Sequence, residues 1–266
     1  MTYLFDPGNW EWLFTGNNAR FILEGFLINL EIALIAMVFA LAVGLALALA
    51  RLSRNPVLSF VAGLWVDVFR NLPLIFLILY LALALPTAWR DVWEENVPDW
   101  APEAFQSGFV FAALVGLVLY NSAVLAEIMR AGILSLPRGQ SEAARALGLS
   151  YRQSMRHVIL PQGLRRMVPA TVSQLITLNK DTTLVSIIAI TEVMRRGRIV
   201  TSSNFFAAVE APVLHVFVFI GLLFVLVNYA LSRLSRRLEI GERRRSGAAR
   251  MEVKGLEDQI PAAEPA

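Results

Sequence analysis

The sequence predicts an all-α, polytopic membrane protein, and three observations carry that expectation. Hydrophobic residues make up 56% of the 266, where a soluble domain has about 45–50%. Charged residues are only 17%, against about 25% in soluble chains. The apolar residues are also gathered into runs, several of them near the ~20 residues that a helix needs to cross a bilayer. Mean hydropathy is +0.57.

Five runs read as spans. The first covers 21–50 and is predominantly apolar. The second, 72–86, is short, and the apolar stretch 57–69 ahead of it carries Asp67 and is followed by Arg70. Asn71 and Pro73 suit a helix start as a capping side chain and an early-turn proline. The reading is therefore an interfacial or tilted lead-in over 57–69 and a span over 71–88. The third span runs from 109 to about 127 and the last over 212–231. Another, 168–190, carries Asn179, Lys180 and Asp181 near its middle.

Five spans place the two ends on opposite sides, and basic residues favour the cytoplasmic face. The loop 87–106 sets Arg90 against Asp91, Glu94, Glu95, Asp99 and Glu103, whereas 130–167 holds seven arginines against Glu142 alone. Arg51 and Arg54 follow the first span, and Arg233, Arg236, Arg237 and residues 243–245 follow the last. All three basic segments share one face if the N-terminus is outside and the C-terminus cytoplasmic. Arg195, Arg196 and Arg198 run against this trend. Residues 1–20 read as an external or interfacial segment. It has no basic n-region of a signal peptide, and Tyr3, Phe5, Trp10, Trp12 and Phe14 resemble an aromatic belt. Residues 21–235 form the membrane domain, and 236–266 read as a cytoplasmic tail expected to be disordered.

Composition removes several classes of function. There is no cysteine, so no disulfide, thiolate metal site or cysteine nucleophile. His157 and His215 are too few and too far apart for an obvious metal cage. No phosphate-binding G-x-x-x-x-G-K-[ST] loop, nucleophile elbow or zinc-binding helix motif occurs. The net charge of +3 needs no nucleic acid to explain it.

The loop 130–167 far exceeds the usual connector of about 4–6 residues. Ser141 is placed to cap a short helix, Glu142 to sit in its first turn and Gly148 to stop it. Ser150 and Gln153 form a capping box for a second short helix, which Pro161 is expected to terminate. The result is a compact hook over about 138–162. Its small, charge-flanked first arm can enter a groove on a partner, or it can lie along anionic lipid headgroups.

Glu142-Ala143-Ala144, Gly148 and Ile159-Leu160-Pro161 resemble the EAA loop of ATP-binding-cassette importer permeases. The wider run over 127–190, together with VFRNLPL at 68–74, resembles the polar amino-acid branch of that family (histidine, glutamine and glutamate permeases). Leu72 stands where that branch usually has threonine or glycine. The resemblance covers about 21–235. It implies a type I ABC importer permease fold of about five transmembrane helices, paired with a second permease copy or a related permease subunit. It also implies that Glu142, Ala143, Ala144, Gly148 and Pro161 couple the chain to an ATP-binding cassette subunit. ATP and Mg would be bound by that subunit, not by this chain. An extracytoplasmic solute-binding protein would deliver the substrate at the outer face.

Ionisable groups inside a membrane are costly and are functional candidates by default. Lys180 and Asp181 lie about 100° apart on a helix and cannot stack as an i,i+4 pair. With Thr182 they either line a translocation pathway for a zwitterionic substrate or form a buried polar knot that fixes packing. Asn121 either contacts substrate or bonds a neighbouring helix. Glu127 and Arg130 read as an i,i+3 edge pair, and Glu24 and Glu31 as groups that pair with neighbours or snorkel. The expected function is a permease that imports a polar amino acid, glutamate first, into the cytoplasm. The alternative is a self-sufficient carrier or channel driven by an ion gradient, but no inverted repeat of the kind it requires is visible.

Overall fold

A computed structural model describes residues 2–202 and 212–257, and among these residues it is all helical, with no strand. Helix α1 spans Asn18–Arg51. Helix α2, Pro56–Asn71, opens with the Asn55 side chain accepting from the N–H groups of Val57 and Leu58, and with Pro56 in its first turn. Helix α3, Leu74–Ala84, follows a bend of 102°. The bend has a local cause, because Pro73 pushes Leu72 out of the helical region to φ −77°, ψ 138°. Asn71 does not open the span as expected. It is the last residue of α2, and its amide donates to the carbonyl of Asp67 at 2.6 Å.

Helix α4, Thr87–Asn96, lies across the start of α5, Gly108–Leu134. Helix α6 is Arg138–Ala146. One helical turn, Tyr151–Ser154, then passes through a π-helical stretch, Met155–Ile159, into α7, Leu160–Asp181. Pro161 therefore does not end a helix; it sits in the first turn of α7. A proline has no N–H and its ring crowds the carbonyl four residues back, and the wider π turn just ahead of it supplies the room.

Among the described residues three helices are long and apolar enough to cross a membrane, α1, α5 and the 213–241 part of the last helix, and the bent pair α2–α3 makes a fourth if its two halves are one broken span. The expected span 168–190 is not one helix. It is α-helical to Asp181 and 3₁₀-helical over Thr182–Ile188. The side chains at the join explain the change. The hydroxyls of Thr182, Thr183 and Ser186 each donate to the carbonyl three residues back, at 2.7, 2.8 and 2.9 Å, which competes with the α-helical ladder. Ala189 then turns the chain with φ +66°. Helix α8 is Val193–Ser202. Helix α9, Val213–Glu257, continues through much of the segment expected to be a disordered tail; residues 258–266 lie outside the described residues.

The bundle is centred on α1 against α5. Gly44 makes this possible, since a Cβ there would lie 3.0 Å from the Ser122 carbonyl oxygen and 3.1 Å from Leu125 Cβ. Ile32, Ala36 and Ala40 of α1 share a core with Ala113 and Leu117 of α5, Ile78 of α3 and Leu178 of α7. Leu34, Val38, Val225 and Leu226 face outward, as lipid-covered helices require. The N-terminal aromatics are not all a surface belt. Trp12 is buried edge-on against Phe219, and Trp10 meets His215 edge-on.

Candidate functional site

The hook at one end of the bundle is the first candidate. Its α6 arm does not begin at Ser141, as expected, but at Pro137 and Arg138, with the Ser141 hydroxyl donating to the Arg138 carbonyl. Glu142 and Ala143 are exposed and Ala144 is turned inward. Gly148 stops the arm as expected, at φ +77°. Its N–H donates to the Arg145 carbonyl and that of Leu149 to the Ala144 carbonyl, the pairing of a glycine-closed helix end. Leu147, beside it, is 81% exposed. The Ser150–Gln153 capping box is present in both directions. The hook thus presents a carboxylate, an alanine and a leucine on one rigid corner. Pro161 lies behind that corner, in α7.

The second candidate is the polar seam at the middle of the bundle. Lys180 is exposed and Asp181 half-buried, and neither has a salt bridge among the described residues. Thr182 is fully buried, with its hydroxyl donating to the Asn179 carbonyl and accepting from Asn29. Asn121 is brought to the same helix, not to the same cluster. It is buried, its amide donates to the Leu117 carbonyl at 2.8 Å, and its oxygen accepts from Gln174 at 2.8 Å. Asn179 donates to Asn228 Oδ1 at 3.1 Å, while its own buried Oδ1 has no partner among the described residues.

Sequence reasoning missed Asn29 and Glu192. Both side chains are 0% exposed. The Asn29 amide donates to Glu192 Oε2 at 3.0 Å, and its oxygen accepts from the Val193 N–H at 3.1 Å. Glu192 Oε1 accepts from the Arg195 N–H at 2.9 Å, so it caps α8. A polar residue within the first apolar run was the available signal, because buried amides inside a span have to be bonded.

Two charge clusters complete the picture. Glu127 pairs with Arg130 as expected, at 2.9 Å, and also with Arg51 at 2.6 Å and Arg70 at 3.9 Å. Arg196, one of the three arginines that ran against the charge trend, is only 14% exposed and is held by Glu24 at 3.2 Å and by the Phe21 carbonyl at 2.8 Å. Its presence is therefore explained by a helix-packing role, which a positive-inside count does not address. Glu24 also pairs with Arg20 at 2.8 Å. No cluster of metal-ligating side chains occurs among the described residues.

Long apolar helices with outward-facing leucine and valine side chains, packed around a polar seam, define an integral membrane protein of the helical-bundle class. The chain belongs to the family of binding-protein-dependent transport system inner membrane components, whose model matches residues 40–240. It is 35% identical to the probable glutamine ABC transporter permease protein GlnP of Bacillus subtilis, over 85% of this chain and 96% of that one. It is 34% identical to the glutamate transport system permease protein GluD of Corynebacterium glutamicum, over 88% and 78%. Its fold matches the crystal structure of an amino acid ABC transporter with histidines, with a TM-score of 0.67, 26% identity, and 85% and 94% coverage. The fold is therefore that of a type I ABC importer permease. Such permeases are membrane subunits, with ATP hydrolysis in a separate subunit.

Proposed function

We propose that the chain is the transmembrane permease of an ATP-driven importer that carries a polar amino acid, glutamate first, into the cytoplasm. The observation that carries this reading is the hook, whose Glu142, Ala143 and Leu147 stand exposed on a corner closed by Gly148. In this reading the hook is the EAA coupling loop and docks in a groove of an ATP-binding cassette subunit. That end of the bundle is cytoplasmic, the N-terminus is outside, and a solute-binding protein meets the opposite face. A second permease, identical or related, completes the pathway.

ATP binding closes the nucleotide subunits and draws the hooks together, and the cavity between permeases opens outward. Hydrolysis resets it. Each step is a population shift driven by differential contacts. Lys180 and Asp181 stand on the pathway, with Thr182 buried behind them and Asn121 bracing the same helix from α5. The exposed ammonium of Lys180 suits an anionic side chain, which favours glutamate over glutamine, and both types of cargo occur in the relatives' names.

Reconstitution into vesicles tests the reading. Uptake of labelled glutamate is expected only when an ATP-binding subunit, ATP and a binding protein are all supplied. Uptake driven by this chain alone under an ion gradient would replace the reading with that of a secondary carrier.

A further inference from the structure

The hook is joined covalently to α5, which precedes it, and to α7, which follows it. It has no covalent link to α1, whose C-cap is Leu52. Nonetheless the two meet. The Tyr151 hydroxyl donates to the Leu52 carbonyl at 2.9 Å, and the Arg54 guanidinium lies 4.5 Å from the centroid of the Tyr151 ring. The chemistry of a helix end favours both contacts. The last carbonyls of α1 lack intrahelical donors, and a cation is stabilised near a helix C-terminus. Behind this tie lies a cavity of about 420 Å³, bordered by Leu52, Pro137, Arg145, Tyr151 and Met155. The cavity lies chiefly between the two arms of the hook and the end of α5, and Tyr151 reaches past it to Leu52.

The other end of the connection also matters. Asn29, in the opposite half of α1, donates to Thr182 and Glu192, and Thr182 follows directly after Lys180-Asp181. Between Asn29 and Leu52 α1 contains no proline and is one continuous helix. A displacement at Leu52 is thus carried along a stiff rod to the polar seam.

We propose that Tyr151 is a positioning residue that ties the hook to the end of α1, giving the coupling loop a route to the intramembrane polar seam through α1, beside its covalent links to α5 and α7. The proposal rests on the reading of the hook as the coupling element. It adds α1 as a driven helix and Tyr151 as the residue that engages it.

The test compares the wild type, Tyr151→Phe and Tyr151→Ala in reconstituted vesicles with the ATP-binding subunit and binding protein, measuring uptake and ATP hydrolysis together. Tyr151→Ala is expected to keep hydrolysis within about twofold of wild type while uptake per ATP falls about tenfold, the scale of an ordinary coupling between sites. Tyr151→Phe keeps the ring under Arg54 but loses the donor, and a fall of about threefold is expected. Should Tyr151→Ala fail to assemble, Tyr151→Phe decides. Unchanged uptake per ATP, or uptake and hydrolysis falling in step, overturns the tie while leaving the permease reading in place. Wild-type hydrolysis uncoupled from uptake would instead overturn the functional reading, and the tie with it.

Discussion

Asn29 and Glu192, 163 residues apart in sequence, face each other through a 3.0 Å hydrogen bond in the interior of the bundle. This contact locks α1 to the start of α8 and to the 3₁₀ segment that follows Lys180-Asp181, because the same Asn29 amide also reaches Thr182. One side chain therefore holds three parts of the chain in register.

Removing that amide leaves a fully buried carboxylate short of a donor. Asn29→Ala is expected to destabilise the protein by about 2–3 kcal/mol, seen as a clear fall in Tm in detergent. Asn29→Asp should be worse near neutral pH and partly recover on acidification, because two carboxyl groups at this distance cannot both ionise. An unchanged Tm for both variants would show that the contact does not hold the helices.

Glu127 is the shared partner of Arg51, Arg70 and Arg130, and it joins α1, α2 and α5 near the hook. The cluster is partly exposed, so its value is limited. Glu127→Gln should cost about 1 kcal/mol, with a smaller effect at high salt. Thermal unfolding at low and high ionic strength checks both the size and the salt dependence.

Gly148 has φ +77° and nothing within 4 Å of where a Cβ would sit. Space does not forbid a side chain there; only backbone conformation does. Gly148→Ala should therefore cost about 1 kcal/mol at the hook corner, and Gly148→Asn less. The expected result is weaker retention of the ATP-binding subunit in the order Gly, Asn, Ala, measured by co-purification.

Lys180 is exposed and without a salt bridge among the described residues, so neutralising it should leave the fold intact. Lys180→Met is expected to lower glutamate uptake at least about tenfold without releasing the ATP-binding subunit. Uptake at the wild-type level would remove Lys180 from the pathway.

The helical membrane fold was legible because bilayer thickness imposes long apolar runs, and the hook because Gly148 and the Ser150–Gln153 box act within a few residues of themselves. The break at Pro73 was also local. What the sequence concealed was set by distant partners or by competing local bonds. Asn29 gains its meaning only from Glu192 and Thr182, and Arg196 only from Glu24. Trp12 reads as interfacial until α9 is seen to cover it. The end of α7 at Asp181 depends on three hydroxyls bonding backwards, a choice that an apolar pattern does not express. Pro161 reads as a stop until the π turn ahead of it is known.

The most direct test of the central claim uses the absence of native cysteine. Ala143→Cys places a single thiol on the exposed corner of the hook, where a short bifunctional reagent can be applied to the assembled transporter in membranes. A cross-linked product of permease and ATP-binding subunit is predicted, with a yield that changes when ATP is added. Adducts to lipid alone, or labelling of that thiol only from the outer side of the membrane, would contradict the account.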